Sequence, residues 1–106
     1  MTSDGFRTSA LSLPEASEKS HFGKADFRVR NKIFATLKDS ATGVVKLTRE
    51  QQEMLTSAEP AIFTAISGGW GLQGWTALNL EYADDATLRS ALAMARRNVA
   101  PKSLQR

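Results

Sequence analysis

A single histidine and no cysteine limit the chemistry this chain can carry. His21 has no thiol to pair with, no second imidazole to share a metal, and no nucleophile elbow near it, so it reads as a structural imidazole near the start of a sheet. Asp84 and Asp85 are adjacent, their carboxylates diverge, and a helix N-terminus explains them without a metal. Residues 67–76 hold four of the seven glycines and both tryptophans. The stretch lacks the Lys-Ser/Thr ending of a phosphate loop and runs into a strand instead of a helix, so its glycines serve a tight turn that Trp70 and Trp75 pin. What remains is charge. Lys24, Arg28, Arg30, Lys32 and Lys38 face one acid, Asp26, and Arg96, Arg97, Lys102 and Arg106 follow without any. Alternate arginines on a strand contact successive phosphates, and β-ribbons enter grooves. Lys24, Arg28, Arg30, Lys32, Gln73, Arg97 and Lys102 are therefore the candidate DNA-binding residues, with Trp70 and Asn79 adding stacking or hydrogen bonds. The competing readings are a solvated basic surface and a module that grips another protein through an exposed apolar patch. Neither requires catalysis, so no enzymatic activity, cofactor or metal is expected.

These side chains need elements to position them. Phe6, Ala10 and Leu13 fall at helical spacing, with Thr2, Ser3 or Asp4 as N-cap and Pro14 as the stop, so a short first helix ends near Leu13. Residues 14–20 are polar, and Glu15 and Glu18 are expected in solvent. In residues 25–30, Phe27 and Val29 alternate with Asp26, Arg28 and Arg30; Asn31 and Lys32 form a break, and residues 33–37 resume the alternation. Residues 25–37 thus read as a hairpin with a basic exposed face. A turn over residues 39–43 leads to a third strand at 44–47. Thr48 with Gln51 forms a capping box that starts a helix at Arg49, and Pro60 ends it by Glu59. Residues 61–66 are apolar and short, either a strand or a continuation into the glycine loop. Residues 75–80 form a strand. Asp84 or Asp85 caps a last helix with the stripe Leu88, Ala91, Leu92, Ala95 and Val99, stopped by Pro101. The predicted core is Phe22, Phe27, Phe34, Trp75, Leu78, Leu80, Leu88 and Leu92.

The order of elements is α+β: an N-terminal helix, an antiparallel β-sheet with an intervening short helix, and a C-terminal helix, the helices covering one sheet face. At 106 residues the chain is one domain, 1–106, and its 42% apolar and 24% charged residues are ordinary for a globular protein. Without cysteine there is no disulfide framework, and no signal peptide or run of some 18 apolar residues is visible. A cytoplasmic protein without membrane contact is expected, of undetermined oligomeric state.

His21-Phe22-Gly23, Asp26-Phe27-Arg28-Val29, Lys32-Ile33-Phe34-Ala35, Gly69-Trp70-Gly71, Gly74-Trp75-Thr76 and Ala100-Pro101-Lys102, in this order and spacing, resemble the MmcQ/YjbR family of small bacterial proteins. The resemblance runs from about Phe6 to Lys102. It implies a CyaY-like or secretion-chaperone-like α+β fold. Family members are commonly described as DNA-binding by analogy to a double-wing surface, which implies Arg28 and Lys32 as contacts and leaves Trp70 and Trp75 to hold the loop. No catalytic motif accompanies the family. The frataxin-type fold similarity raises iron, but frataxins carry an acidic ridge on the first helix and residues 6–13 contain no acid.

Overall fold

A computed structural model describes residues 2–21 and 23–101, the side chain of His21 excepted. In chain order the elements are α1 (Ser3–Leu11), β1 (Ala16–His21), β2 (Lys24–Val29), β3 (Lys32–Leu37), β4 (Thr42–Lys46), α2 (Arg49–Ala58), β5 (Phe63–Ala65), α3 (Gly69–Leu72), β6 (Trp75–Asn79) and α4 (Asp85–Val99). The strands form one antiparallel sheet in the order β1-β2-β3-β4-β6-β5, so β1 and β5 are its edges. The expected α+β architecture is the one observed.

Local chemistry explains the helix boundaries. Thr2 caps α1 by accepting from the Gly5 N–H at 3.0 Å, and Thr48 and Gln51 exchange both bonds of the predicted capping box at 3.1 and 3.0 Å. Of the two candidate aspartates, Asp84 caps α4, accepting from the Thr87 N–H at 2.7 Å. From α4, Leu88, Ala91, Leu92 and Ala95 are buried against the sheet, where the helix crosses β2, β3 and β4. Helix α1 lies beside α4, and the Phe6 and Phe27 rings meet edge to face at 5.8 Å. Each of the leucine and phenylalanine side chains, fully withdrawn from water, contributes about 1.5–3 kcal/mol of apolar burial.

Four expectations are corrected. Residues 14–20 are not an irregular polar run: Ala16–His21 is edge strand β1, paired along its whole length with β2. The backbone ladder holds it, since of its described residues only Ala16 packs against the core. The hairpin turn is Arg30-Asn31, with φ of 51° and 68°, one residue earlier than expected, and Lys32 already belongs to β3. The glycine-rich stretch contains a four-residue helix, α3, before its strand. Trp75 is half-buried and lies outside the helix-covered core, which includes Phe6, Val45, Leu47 and Phe63 instead. Phe22 lies outside the described residues. Among those described, no helix is long and apolar enough to cross a membrane.

Candidate functional site

Register shows which side chains share a face, because residues directly opposite in neighbouring strands point the same way. One row runs across the sheet as Lys19, Asp26, Thr36, Val44, Ala77 and Thr64. The next row, Glu18, Phe27, Ala35, Val45, Thr76 and Ala65, contains the fully buried Phe27, Ala35, Val45 and Thr76 and meets the helices. Helices α1 and α4 pack on that second side. The first side is left open.

A trough of about 570 Å³ crosses the open side, lined by Lys24, Ile33, Thr36, Lys38, Val44, Ile66, Trp70 and Trp75. Lys24 and Lys38 mark one end. Extending the β2–β3 register from Asp26 and Thr36 by two residues sets these lysines across from each other. Neither has a carboxylate within salt-bridge distance among the described residues. Asp39, next in the chain, accepts from the Ala41 N–H at 2.9 Å, and that bond, followed by hydrogen bonds from Thr42 and the nearby Lys38 charge, holds its pKa below the ordinary value. Like charges opposed on one strand pair repel, which makes this end receptive to an anion.

The tryptophans form the other end. The Lys38 backbone N–H donates to the Thr42 carbonyl at the near end of β4, and Lys46, four residues along from Thr42, pairs with Trp75; at strand rise the two ends lie about 13 Å apart. Trp70 and Trp75 meet edge to face at 6.2 Å, and the Lys46 ammonium sits 5.3 Å from the Trp75 ring centre. Lys46 also donates to the Gln73 carbonyl. Trp75 is partly covered, whereas Trp70 remains 64% exposed.

The backbone beneath Trp70 is firmly tied. Gln52, 4% exposed on α2, directs its side-chain amide at Gly71 O, Trp75 O and Thr76 Oγ1 at 3.0, 3.2 and 3.1 Å. Arg49 donates to Leu72 O at 3.3 Å. Gly71 and Gly74 permit the close packing: an added Cβ would stand 1.7 Å from the Ile66 oxygen and 1.8 Å from the Leu47 oxygen respectively. Trp70 is therefore an exposed ring on a rigid mount.

The seven sequence-predicted contacts are not gathered on this face. Lys24 is at the trough. Arg28 shares the open side, but its guanidinium forks onto Asp26 at 2.8 and 3.1 Å and reaches Asn31 at 3.0 Å. The hydrogen bonds to Asp26 raise its pKa. Arg30 sits in the turn and pairs with Glu15 at 3.0 Å. Lys32 stands opposite Val29, at the hairpin end on the helix side. Gln73 closes α3, exposed, beside the tryptophan end. Arg97 is exposed on α4, across the sheet from Lys24, and Lys102 lies outside the described residues. Glu15 and Glu18, expected free in solvent, pair with Arg30 and Arg7. Lys19, Lys38, Lys46, Ile33, Val44 and Ile66 were missed as site residues. Alternation with buried Val45 and Leu47 was the available signal for Lys46.

A family model described as YjbR matches residues 11–98. The crystal structure of Deinococcus radiodurans protein DR2400, carrying a DUF419 domain, superposes with a TM-score of 0.80 at 19% identity, covering 98% of this chain and 85% of that one. This likeness is one of fold. No curated protein matches the chain.

Proposed function

The chain belongs to the YjbR family, and from that premise we propose that it is a non-catalytic, cytoplasmic DNA-binding module whose ligand lies on the open side of the sheet. The carrying observation is the charge of that side: among the described residues Lys19, Lys24, Lys38 and Lys46 lie on it without a salt-bridge partner, while its Asp26 is bound by Arg28 and Glu81 lies at the β5–β6 border. The interface thus lies on the sheet face instead of the hairpin tip, with Lys24 retained and lysines added from β1, from β4 and from the residue that follows β3. Arg28 is held by Asp26, Arg30 is held by Glu15 and Arg97 faces the other way, so none of the three supports the reading.

Fluorescence anisotropy of a labelled oligodeoxynucleotide, titrated at several salt concentrations, tests this. The logarithm of affinity should fall linearly with log salt, by about 0.7–0.9 per phosphate neutralised. Replacing Lys24 and Lys38 together with Ala should lower that slope by one or two phosphates' worth, while Arg97→Ala leaves it unchanged. A slope indifferent to Lys24 and Lys38 refutes the placement.

Binding of another polypeptide is the second reading. Trp70 and Leu72, 64% and 69% exposed on the same turn of helix, are the observation in its favour.

A further inference from the structure

We infer that the DNA taken by this face is single-stranded, with an unpaired base stacked on Trp70, an inference that rests on the nucleic-acid reading above. Between the lysine end and Trp70 the trough floor is mostly apolar: Ile33, Val44, Ile66 and Trp75, with Thr36 the one polar side chain among them. A duplex keeps its base faces inside its own stack and offers phosphates and groove edges, so against it that floor would meet ionic backbone. An unpaired strand has free base faces that cover apolar surface and rings, and phosphates that remain for the lysines.

The placement of charge agrees. Lys24 and Lys38 stand at one end and Lys46 at the other, about 13 Å along β4. A flexible strand of a few nucleotides reaches both while its bases lie between. Trp70 has the properties a stacking platform needs, being large, exposed, and fixed from below through Gln52, Gly71 and Trp75. An acidic peptide with apolar side chains is the rival occupant. It would use the same lysines, but only an occasional aromatic residue in it offers a planar face to the exposed indole, whereas every base of an unpaired strand does.

Trp70 and Trp75 are the protein's only tryptophans, so emission excited beyond the absorption of Tyr82 reports on this site alone. The protein is titrated with oligodeoxythymidylate, with a duplex of equal length, and with an abasic strand carrying the same phosphates. The single strand should quench the emission and bind at least about tenfold more tightly than either comparator. Trp70→Ala should weaken single-strand binding by about 5- to 150-fold, with Trp70→Phe retaining most of it. Trp70 is exposed, so both variants should melt as the parent does; the abasic strand tests the same point on the unaltered protein. Equal affinity for duplex, abasic and intact single strands overturns the inference and leaves the DNA reading standing. The absence of binding to any of the three at low salt overturns both.

Discussion

Gly74 shows how one residue fixes the tryptophan end of the trough. Its φ of +100° is a conformation that side chains rarely adopt, and its missing Cβ leaves room for the Leu47 carbonyl. Its own carbonyl accepts from the Leu47 N–H at 3.1 Å, tying the start of β6 to the end of β4. Gly74→Ala should cost at least about 1–3 kcal/mol from backbone strain, before the collision is counted. Gly69, in the first turn of α3, has ordinary φ and open space about it. Gly69→Ala should be neutral or stabilising by up to about 1 kcal/mol. Urea denaturation of the two variants measures the contrast, and equal losses would contradict this account. The glycine cluster was legible in the sequence as a turn, but the exposure of Trp70 was not. A ring beside permissive backbone suits a core lid and an open platform equally; only the position of α3 decides between them.

Among the elements, the helices were the most legible because their boundaries are written locally. Thr48 with Gln51, Pro60 and Asp84 each act within about one turn, and the structure agrees at all three places. The strands were less so. Strand β1 has almost no apolar alternation, and its partner lies in β2, so nothing within residues 16–21 announces it. Strand β3 defeats simple alternation for another reason. Arg28 pairs with Ile33 and Phe27 with Ala35, leaving Phe34 as an extra residue, and this bulge lets neighbouring Phe34 and Ala35 both reach the core. Helix α4 offers the element-scale prediction. Hydrogen bonds from Thr87 hold the Asp84 carboxylate below its ordinary pKa. A lowered folded-state value means that the stabilisation is present above the unfolded pKa, near 3.9, and is lost as pH falls through the folded one. Asp84→Asn preserves a capping oxygen but cannot titrate. Its melting temperature should match the parent's near neutrality and fall less steeply below about pH 4. Parallel acid limbs in the two melting profiles would argue against this role.

At the scale of the molecule, the division of labour between sheet faces is the organising fact. Sequence alternation placed Arg28 on an outer face correctly, yet it could not reveal which cations are already partnered. Glu15 and Arg30 are fifteen residues apart and meet only because β1 folds back on β2. Nor could it join Lys24, Lys38 and Lys46, which β2, the residue after β3 and the end of β4 bring to one surface. The mutual repulsion expected of Lys24 and Lys38 has a consequence for stability. Lys38→Ala should leave the fold as stable as the parent or slightly more so, with the difference shrinking as salt is added, because like charges opposed on a strand pair are destabilising and are screened. Thermal melts at low and high ionic strength measure it. A marked loss of stability in Lys38→Ala would show that the lysine serves the fold.

The two borders of the sheet have their own consequence. Strand β5 is only three residues long, and β1 carries exposed Glu18 and Lys19 side by side. Short or charged margins are poor templates for a foreign strand. Crowded copies should therefore resist self-templated growth into fibrils, and a visitor to this protein is steered to its broad surface instead of its rim.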